Sequence, residues 1–460
     1  MPKKKTALTI EERLQQALVP AEEQPYEVPK NWVWVRLGAV CFFENGYAFK
    51  SDKFSSEKGI PVIRISNIKE NNVDLDDCIK TLEENIDEKF IVHQGDLLIA
   101  MSGATTGKNG VYMSANIAYL NQRVGNIKVK NKELLIEKFR NFYIANMQNE
   151  ILNTAYGGAQ PNISSQKMSV MTFPLPPLSE QQRIIERIEV LFAKLDEAKE
   201  RLQEVADSFA VRKAAILHKA FTGELTKQWR RENGVSDESW EEKKFDDCIE
   251  KMQNGLSKRK GDEGNNIGVL RLANLSEDDL VLDDLRYILL TEKEEKNYLL
   301  SKDDVIMIRV NGSKDNVARQ IVINTDEKLA FCDHIIRIKY NPNIVARYVM
   351  YFSKTNAYRK YVEDNMVSSA GQNTISRKGL ASLVIPLPSI EEQHEIVRLI
   401  DDLLARERAA QQAAEQALAS IDLMKKSILA RAFRGELSTN KASEASALEL
   451  LRQVLAENWS

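Results

Sequence analysis

The chain has 460 residues, 43% apolar and 28% charged, which is typical of a globular protein with two or three domains. Its 64 basic and 67 acidic residues give a net charge of −3, which excludes a polycation that binds nucleic acid through bulk charge. We expect no membrane span and no signal peptide, because apolar runs are short. Four cysteines without paired spacing predict free thiols in a reducing cytoplasm: Cys41, Cys78, Cys248 and Cys332.

The first half of the chain begins with an N-terminal arm, residues 1–30, in which Thr9 and Glu12 form a capping-box pattern. A mixed α and β module is predicted over 31–178. VIRISNI from Val62, DLLIAM from Asp96 and VGNIKV from Val124 have the composition of strands, and 133–148 has that of a helix. Polar loops rich in Gly, Ser, Asn and Gln lie at 102–110 and 156–167.

A long spacer helix is predicted over 179–225. Prolines precede it, Ser179 is the predicted N-cap, and Gly223 stands where a left-handed C-cap belongs. Its 43 residues from Glu180 to Thr222 would span about 65 Å. Apolar residues alternate at steps of four and three along it, the pattern of a coiled-coil seam: Ile184, Ile188, Leu191, Leu195, Ala198, Leu202, Val205 and Phe209.

The second half repeats this order after a linker, residues 226–238. A second mixed module covers 239–388, with strands VIMIRV and HIIRIKY, a helical stretch at 344–364, and polar loops at 311–316 and 368–378. A second spacer helix covers 389–437, where Ile396, Ile400 and Leu403 continue the seam until Glu407 interrupts it. The tail, 438–460, contains an amphipathic segment.

The two halves are an internal repeat. FPLPPLSEQQRIIERIEVL from Phe173 matches IPLPSIEEQHEIVRLIDDL from Ile385, and AFTGEL matches AFRGEL, all at an offset of 212. The upstream modules match more loosely, at offsets of 207 and 208. The predicted fold class is therefore α+β, with two α/β modules separated by two long helices that pack antiparallel about a pseudo-two-fold axis.

Motifs for catalysis are weak. Gly103–Lys108 resembles a phosphate loop, but it has one residue too few between the glycines and Asn109 in place of the Mg²⁺-binding hydroxyl. Cys332 and His334 have no second pair of metal ligands nearby in the sequence, which argues against zinc. We expect no catalytic residue, no metal and no cofactor in this chain.

The matched polar loops are better suited to reading DNA. Arginine pairs with guanine, and Asn or Gln with adenine, while lysines neutralise phosphates. Such residues are matched between the two halves, Arg64 with Arg271, Asn67 with Asn274, Gln160 with Gln372 and Asn162 with Asn373. The modules carry formal charges of +1 and 0, so partners would supply much of the backbone electrostatics. The candidate DNA-binding residues are Arg64, Asn67, Ser102, Thr105, Lys108, Gln160, Asn162, Ser164, Lys167, Arg271, Asn274, Arg309, Asn311, Ser313, Lys314, Gln372, Asn373, Ser376, Arg377 and Lys378.

Alternatives remain open at this point. Any single loop residue is equally well explained as a solvated turn former, and Arg64 and Arg271 as salt bridges at a sheet edge. A scaffold that binds only protein partners through its coiled coil is the competing function, and an enzyme with an unrecognised active site is a third. A pseudo-two-fold reader would bind two different half-sites across an unread gap, whose length the helices fix.

The sequence resembles the specificity (S) subunit of type I restriction–modification systems over about 31–437. The resemblance rests on the duplicated PLPPLSEQQRIIERI and IPLPSIEEQHEIV openings, the AFTGEL and AFRGEL closings, and NWVWVRLG, GDLLIAMSG and GGAQPNIS. It implies two target-recognition domains, a split double-stranded DNA target, and assembly with two methylation (M) subunits and restriction (R) subunits. S-adenosylmethionine, ATP and Mg²⁺ would then belong to the partners.

Two further expectations follow. The seam residues that would form the subunit interface are Ile184, Ile188, Leu191, Leu195, Leu202, Ile396, Ile400 and Leu403. Joined head to tail, the terminal segments would resemble the linker and close the internal dimer into a ring; docking onto an M subunit is the other possibility. The charged loop Lys258–Asn266 has no assigned role.

Overall fold

The computed structural model describes residues 9–83, 86–156, 160–277 and 279–457. The chain forms two compact units, one built from the residues up to 201 and from 417 onwards, the other from residues 202–416. Each unit holds one α/β module and parts of both long helices. In the described ranges no helix is long and apolar enough to cross a membrane.

The first unit combines short helices with twelve strands in its described part. Its helices are α1 (Ile10–Ala17), α2 (Leu37–Val40), α3 (Glu137–Asn146), α4 (Gln148–Ala155), α5 (Ser165–Ser169) and the start of α6 (Leu178–Asp207). Its strands are β1 (Val33–Arg36), β2 (Cys41–Asn45), β3 (Phe54–Ser55), β4 (Ile60–Ile63), β5 (Asn71–Asn72), β6 (Lys80–Thr81), β7 (Ile91–Val92), β8 (Leu97–Ala100), β9 (Asn109–Val111), β10 (Ala118–Leu120), β11 (Val124–Val129) and β12 (Thr172–Leu175).

The described part of the first module has two five-stranded sheets, in the orders β3-β6-β4-β10-β7 and β2-β11-β8-β9-β5, and a two-stranded sheet of β1 and β12. The chain passes from one sheet to the other at the turn between β10 and β11. β10 runs parallel to β4, with Tyr119 beside Val62, whereas β11 runs antiparallel to β8. The predicted strand from Val62 ends at Ile63, because a 3-10 turn over Ile65–Asn67 replaces its second half.

The second unit has the same plan. Its helices are α7 (Phe209–Phe221), α8 (Lys227–Asn233), α9 (Glu292–Tyr298), α10 (Ala346–Phe352), α11 (Asn356–Asn365), α12 (Arg377–Leu380) and the first part of α13 (Ile390–Phe433). Its strands are β13 (Glu241–Lys244), β14 (Ile249–Asn254), β15 (Asn265–Leu270), β16 (Arg286–Leu290), β17 (Val305–Ile308), β18 (Val310–Asn311), β19 (Gln320–Val322), β20 (Leu329–Phe331), β21 (Ile335–Tyr340), β22 (Val367–Ser369), β23 (Gln372–Thr374) and β24 (Val384–Leu387).

The second module repeats part of the strand order of the first, with a four-stranded and a three-stranded sheet in place of the two five-stranded sheets. β14-β21-β17-β19 corresponds to β2-β11-β8-β9, and the parallel pair β15 and β20 to β4 and β10. β18-β23-β22 forms a further small sheet. The helix predicted over 344–364 is two helices, because Ser353 ends α10 and the Thr355 side chain caps α11.

The first spacer helix is interrupted at Ser208, between α6 and α7, whereas α13 runs for 44 residues without a break. Within the second unit, Arg212 Nε lies 2.6 Å from Glu407 Oε2, and Arg212 also bonds the Ser208 side chain. This ion pair explains why Glu407 stands where the seam predicted an apolar residue. Gly223 and Gly435 have φ of +76° and +74°, as predicted for left-handed C-caps.

The repeated Glu-Gln pair at the start of each spacer helix is a buried clamp. Gln181 Oε1 accepts from Ile136 N at 2.9 Å, and its Nε2 donates to Leu134 O at 2.9 Å and Pro176 O at 3.1 Å. Gln393 makes the same three kinds of bond, at 2.8, 3.2 and 3.0 Å, to Val345 N, Asn343 O and Pro388 O. The motif therefore fixes each module to its helix.

The buried glutamates of the clamp hold the segments that follow the opposite helix. Glu180 accepts from Trp32 Nε1 at 2.8 Å and from Asn440 Nδ2 at 2.7 Å. Burial raises the pKa of this carboxyl, and the bonds from Trp32 and Asn440 oppose the rise. Glu392 accepts from Thr226 Oγ1 and Arg230 Nη1, both at 2.7 Å.

The repeated closing motif places a phenylalanine in an aromatic cluster of each unit. Phe433 lies 5.3 Å from Phe139 and 4.9 Å from Tyr143, between ring centroids. Phe221 lies 5.0 Å from Tyr348 in the same way. Within the first unit the end of α13 lies along α6, since Lys425 Nζ is 2.5 Å from Asp196 Oδ1 and, just beyond α13, Thr439 O accepts from Arg183 Nε at 2.9 Å. The residue numbers rise along one helix as they fall along the other, so within that unit the two helices run antiparallel, as predicted.

The terminal segments are part of the first unit's core. α14 (Ala447–Glu457) packs against α1, and Leu451, which is fully buried, joins Leu14 in the same cluster. Arg183 donates two 2.8 Å hydrogen bonds to the carboxylate of Glu444. The terminal segments therefore pack against each other within the first unit, and their docking onto a methylation subunit stays a prediction. The Thr9–Glu12 capping box is present, and all four cysteines are buried and unpaired.

Candidate nucleic-acid interface

A polar cleft of about 580 Å³ opens in the first module. It is lined by Asn45, Met101, Ser102, Gln122, Arg123 and residues 160–165. Four of these were predicted to bind DNA, namely Ser102, Gln160, Asn162 and Ser164. Residues 157–159 of the predicted loop lie outside the described residues.

Backbone hydrogen bonds hold three segments of the chain together around this cleft. Met101 N donates to Arg123 O and Ile163 N donates to Met101 O, both at 2.9 Å. Gly103 N donates to Pro161 O at 2.9 Å. The buried side chains of Met101 and Ile163 join the core beneath. The cleft is therefore an ordered frame from which polar side chains project.

The lining combines amides with one arginine and has no carboxylate. Arg123, Gln122, Gln160 and Asn162 are exposed, and no described residue bonds their side chains. Ser102 Oγ and Thr105 Oγ1 are buried without a hydrogen-bond partner in the described structure. Unpaired amides and a guanidinium are the groups that pair with purine edges, so this cleft has the chemistry for base contacts.

The second module repeats the frame with other side chains. Arg309 N donates to His334 O at 2.8 Å, and Ile375 N to Arg309 O at 3.1 Å, the bonds that Met101 and Ile163 make in the first module. The frame pairs Gln160 with Gln372, both exposed. It pairs Asn162 with Thr374, so the predicted match of Asn162 with Asn373 is wrong by one residue.

Three predicted DNA-binding asparagines are buried and structural. Asn67 and Asn274 are 5% and 2% exposed, and each side-chain oxygen accepts from the backbone N–H three residues earlier at 3.0 Å. Asn373 is 7% exposed and donates to Gly312 O at 2.9 Å. These amides close turns, which is the alternative use of asparagine in a loop.

The paired arginines Arg64 and Arg271 are half-buried beside these turns. Arg271 Nη2 lies 2.9 Å from Asp284 Oδ2 and also donates to the Asp284 carbonyl oxygen. Arg271 thus forms the salt bridge that was the alternative interpretation. Arg64 Nε is buried without a hydrogen-bond partner in the described structure.

The remaining candidates lie at loops and helix starts. Ser164 and Ser376 cap α5 and α12 through their hydroxyl groups. Lys167 Nζ donates to Thr154 O at 3.2 Å, and Arg377 Nε bonds Asp246 Oδ1 at 2.6 Å, which raises the pKa of Arg377. The exposed candidates are Lys108, Ser313, Lys314 and Lys378, and the half-buried ones are Thr105, Arg309 and Asn311. Their contact with DNA stays a prediction.

The predicted subunit-interface residues divide into two groups. Ile184, Ile188, Ile396 and Ile400 are fully buried in the chain's own cores, so the structure places them there instead of at an interface with another subunit. Leu191, Leu195, Leu202 and Leu403 are half-buried. Other apolar side chains of the spacer helices are more exposed, among them Val211, Leu423 and Met424.

Sequence reasoning missed Gln122 and Arg123, because they are not repeated in the second half. It also missed Asn45, although Asn254 stands at the same place before the equivalent glycine. At the turn before β21 the second module has Asp333 and His334, and Arg259 donates to both Asp333 oxygens at 3.1 and 3.3 Å. The ligand atoms of Cys332, Asp333 and His334 lie within 4.8 Å of one another. Burial raises the pKa of the Cys332 thiol, which opposes its ionisation to a metal-binding thiolate.

Comparison with known proteins agrees with this architecture. The profile of the type I restriction modification DNA specificity domain matches twice, at residues 29–207 and 237–417. The type I restriction enzyme StySPI specificity subunit of Salmonella potsdam is 31% identical over 454 residues, covering 94% of this chain and 96% of that protein. The EcoKI specificity subunit of Escherichia coli K12 is 26% identical, with the same coverage.

Solved structures share the fold. One from a study of complex assembly and conformational transition of the type I R-M system has a TM-score of 0.62 at 19% identity, covering 90% of this chain and all of that chain. The HsdS subunit from Thermoanaerobacter tengcongensis has a TM-score of 0.59 at 18% identity, covering 90% and 99%. The chain belongs to the family of type I restriction–modification specificity subunits.

Proposed function

We propose that this chain is the non-catalytic DNA-recognition subunit of a type I restriction–modification complex in the cytoplasm. Each module reads one half of a split, asymmetric double-stranded target. The chain positions two methylation subunits, which modify adenine N6, and restriction subunits that cleave.

The observation that carries this proposal is one backbone frame, built twice, with different side chains projecting from it. The backbone hydrogen bonds of Met101 in the first module match those of Arg309 in the second, yet the exposed side chains around these two residues differ. A repeated scaffold with divergent polar loops is the arrangement expected of a protein that reads two unlike half-sites. The free amides and the guanidinium of the first cleft supply base-edge chemistry.

The spacer helices are the proposed docking surface for the methylation subunits. Val211, Leu423 and Met424 are 71%, 67% and 50% exposed, although large apolar side chains gain free energy when covered. S-adenosylmethionine, ATP and Mg²⁺ are assigned to the partner subunits.

Module exchange tests the proposal. Residues 239–388 are replaced by the corresponding segment of the Salmonella potsdam relative, the chimaera is co-purified with the methylation subunit, and methylated sites are mapped by single-molecule sequencing. The expected result is a motif changed in one half only. If the chain were a scaffold that binds only proteins, the exchange would not change the methylated motif, and assembly of the complex would be insensitive to salt. Either finding would count against DNA reading by the modules.

A further inference from the structure

Two turns occupy the same place in the two modules but carry different side chains. The first joins β10 to β11, where Val124 N donates to Asn121 O at 2.8 Å. The second joins β20 to β21, where Ile335 N donates to Cys332 O at 2.9 Å. We call them the reading turns, residues 121–123 and 332–334.

The backbone of each reading turn is fixed by its surroundings. A Cβ atom at Gly46 would lie 2.0 Å from Asn121 O, and one at Gly255 would lie 2.2 Å from Cys332 O, so a glycine is required beside each turn. At the other end of the turn, Arg123 O accepts from Met101 N, and His334 O from Arg309 N. A rigid backbone with variable side chains is the arrangement that suits specific contacts.

The side chains on this common backbone differ in charge. The first turn presents Gln122 and Arg123, both exposed, at the rim of a cleft without carboxylates. The second presents Asp333 and His334, half-buried, with the Asp333 carboxylate held by Arg259. A carboxylate has about four acceptor sites, so Asp333 keeps acceptor capacity beside Arg259.

We propose that the reading turns determine the base specificity of the two modules, an inference that rests on the proposed function. Arg123 donates to O6 and N7 of a guanine in the first half-target, because a free guanidinium fork matches these two acceptors. Asp333, oriented by Arg259, accepts from the N4 amino group of a cytosine in the second half-target. Gln122, Asn162 and Gln160 contact neighbouring bases from the cleft.

The competing role for Arg123 is a contact with a DNA phosphate. Substitution by lysine distinguishes this role from guanine recognition. Lysine keeps the positive charge but lacks the planar fork, so Arg123→Lys preserves a phosphate contact and weakens bidentate guanine recognition. Arg123→Ala removes both. Lys58→Ala removes the same charge from an exposed loop of the same module and is the matched control.

The experiment maps methylation by the complex of the wild-type chain with its methylation subunit, then by complexes with Arg123→Lys, Arg123→Ala and Lys58→Ala. Rates are compared on oligonucleotides in which the guanine is replaced. We expect both Arg123 variants to relax discrimination at one guanine of the first half-target by roughly 10- to 100-fold. The second half and the gap should stay unchanged, and Lys58→Ala should behave as wild type.

The second turn has its own variant pair. Asp333→Asn should relax one cytosine position of the second half-target only, whereas Asp326→Asn, at an exposed carboxylate of that module, should not. A first half-target without guanine, or an unchanged motif in the Arg123 variants, would overturn the inference and leave the proposed function standing. Uniform weakening in Arg123→Ala with normal specificity in Arg123→Lys would also overturn it, in favour of a phosphate contact. Methylation by the wild-type complex without any split motif would instead refute the proposed function.

Discussion

The buried glutamine clamp gives the sharpest prediction about stability. Gln181 and Gln393 are 0% and 1% exposed, and each satisfies one backbone N–H and two carbonyl groups. Replacing either by alanine removes these three hydrogen bonds, two of which are buried for Gln181 and one for Gln393. At about 1 kcal/mol for each net hydrogen bond, the loss is about 3 kcal/mol.

This loss can be expressed as a melting temperature. For a unit of roughly 200 residues, 1 kcal/mol corresponds to about 2–4 °C, so each variant should melt about 6–12 °C lower. Calorimetry measures the shift, and hydrogen exchange assigns it to a unit: Gln181→Ala should weaken protection in the first unit and Gln393→Ala in the second.

The matched control is the next residue. Gln182 is exposed and donates only to Glu186 Oε1, at 2.9 Å, so Gln182→Ala should change stability by less than about 0.5 kcal/mol. If Gln181→Ala melts like Gln182→Ala, the repeated motif does not clamp the module and the reasoning is wrong.

Three further predictions concern the first unit. Phe433→Ala should lower the free energy of unfolding of the first unit by about 3–5 kcal/mol, because Phe433 is fully buried. Phe221→Ala should lower that of the second unit by less, because Phe221 is half-buried. Urea unfolding measures both losses, and equal losses would contradict the burial argument. Leu451→Ala should cost about 2–5 kcal/mol and expose α1 to hydrogen exchange, whereas unchanged protection of α1 would show that the tail is dispensable. The hydrogen bonds from Arg183 lower the pKa of Glu444 below its ordinary 4.5, so the stability that they contribute is present above pH 4.5 and is lost as the pH falls through the lowered pKa. The difference in unfolding free energy between wild type and Glu444→Gln should therefore shrink below about pH 4.5. A difference that grows on acidification would refute the assignment.

The repeat could be predicted from sequence because its register depends on local signals. The prolines, the Glu-Gln pair and the Phe-x-Gly closing recur at a constant spacing, and both C-cap glycines were placed correctly. The break of the first spacer helix at Ser208 could not be predicted in this way. It accompanies the hydrogen bond of Arg212 to Glu407, a contact between residues 195 apart in the chain.

The candidate site was harder to predict, because one residue type serves two purposes. Asparagine closes a turn or reads adenine, and only the burial of Asn67, Asn274 and Asn373 distinguishes these uses. Arg123 and Gln122 left no repeated pattern, since the second reading turn has other residues at the same place. Divergence at a fixed backbone position is visible only once both modules are folded.

The central claim, that two modules read two halves of one target, is tested most directly by mapping the bases methylated by the wild-type chain with its methylation subunit. The account predicts one split motif with two unlike halves and an unread gap of constant length. Methylation at a continuous motif, at either half alone, or without sequence preference would contradict it.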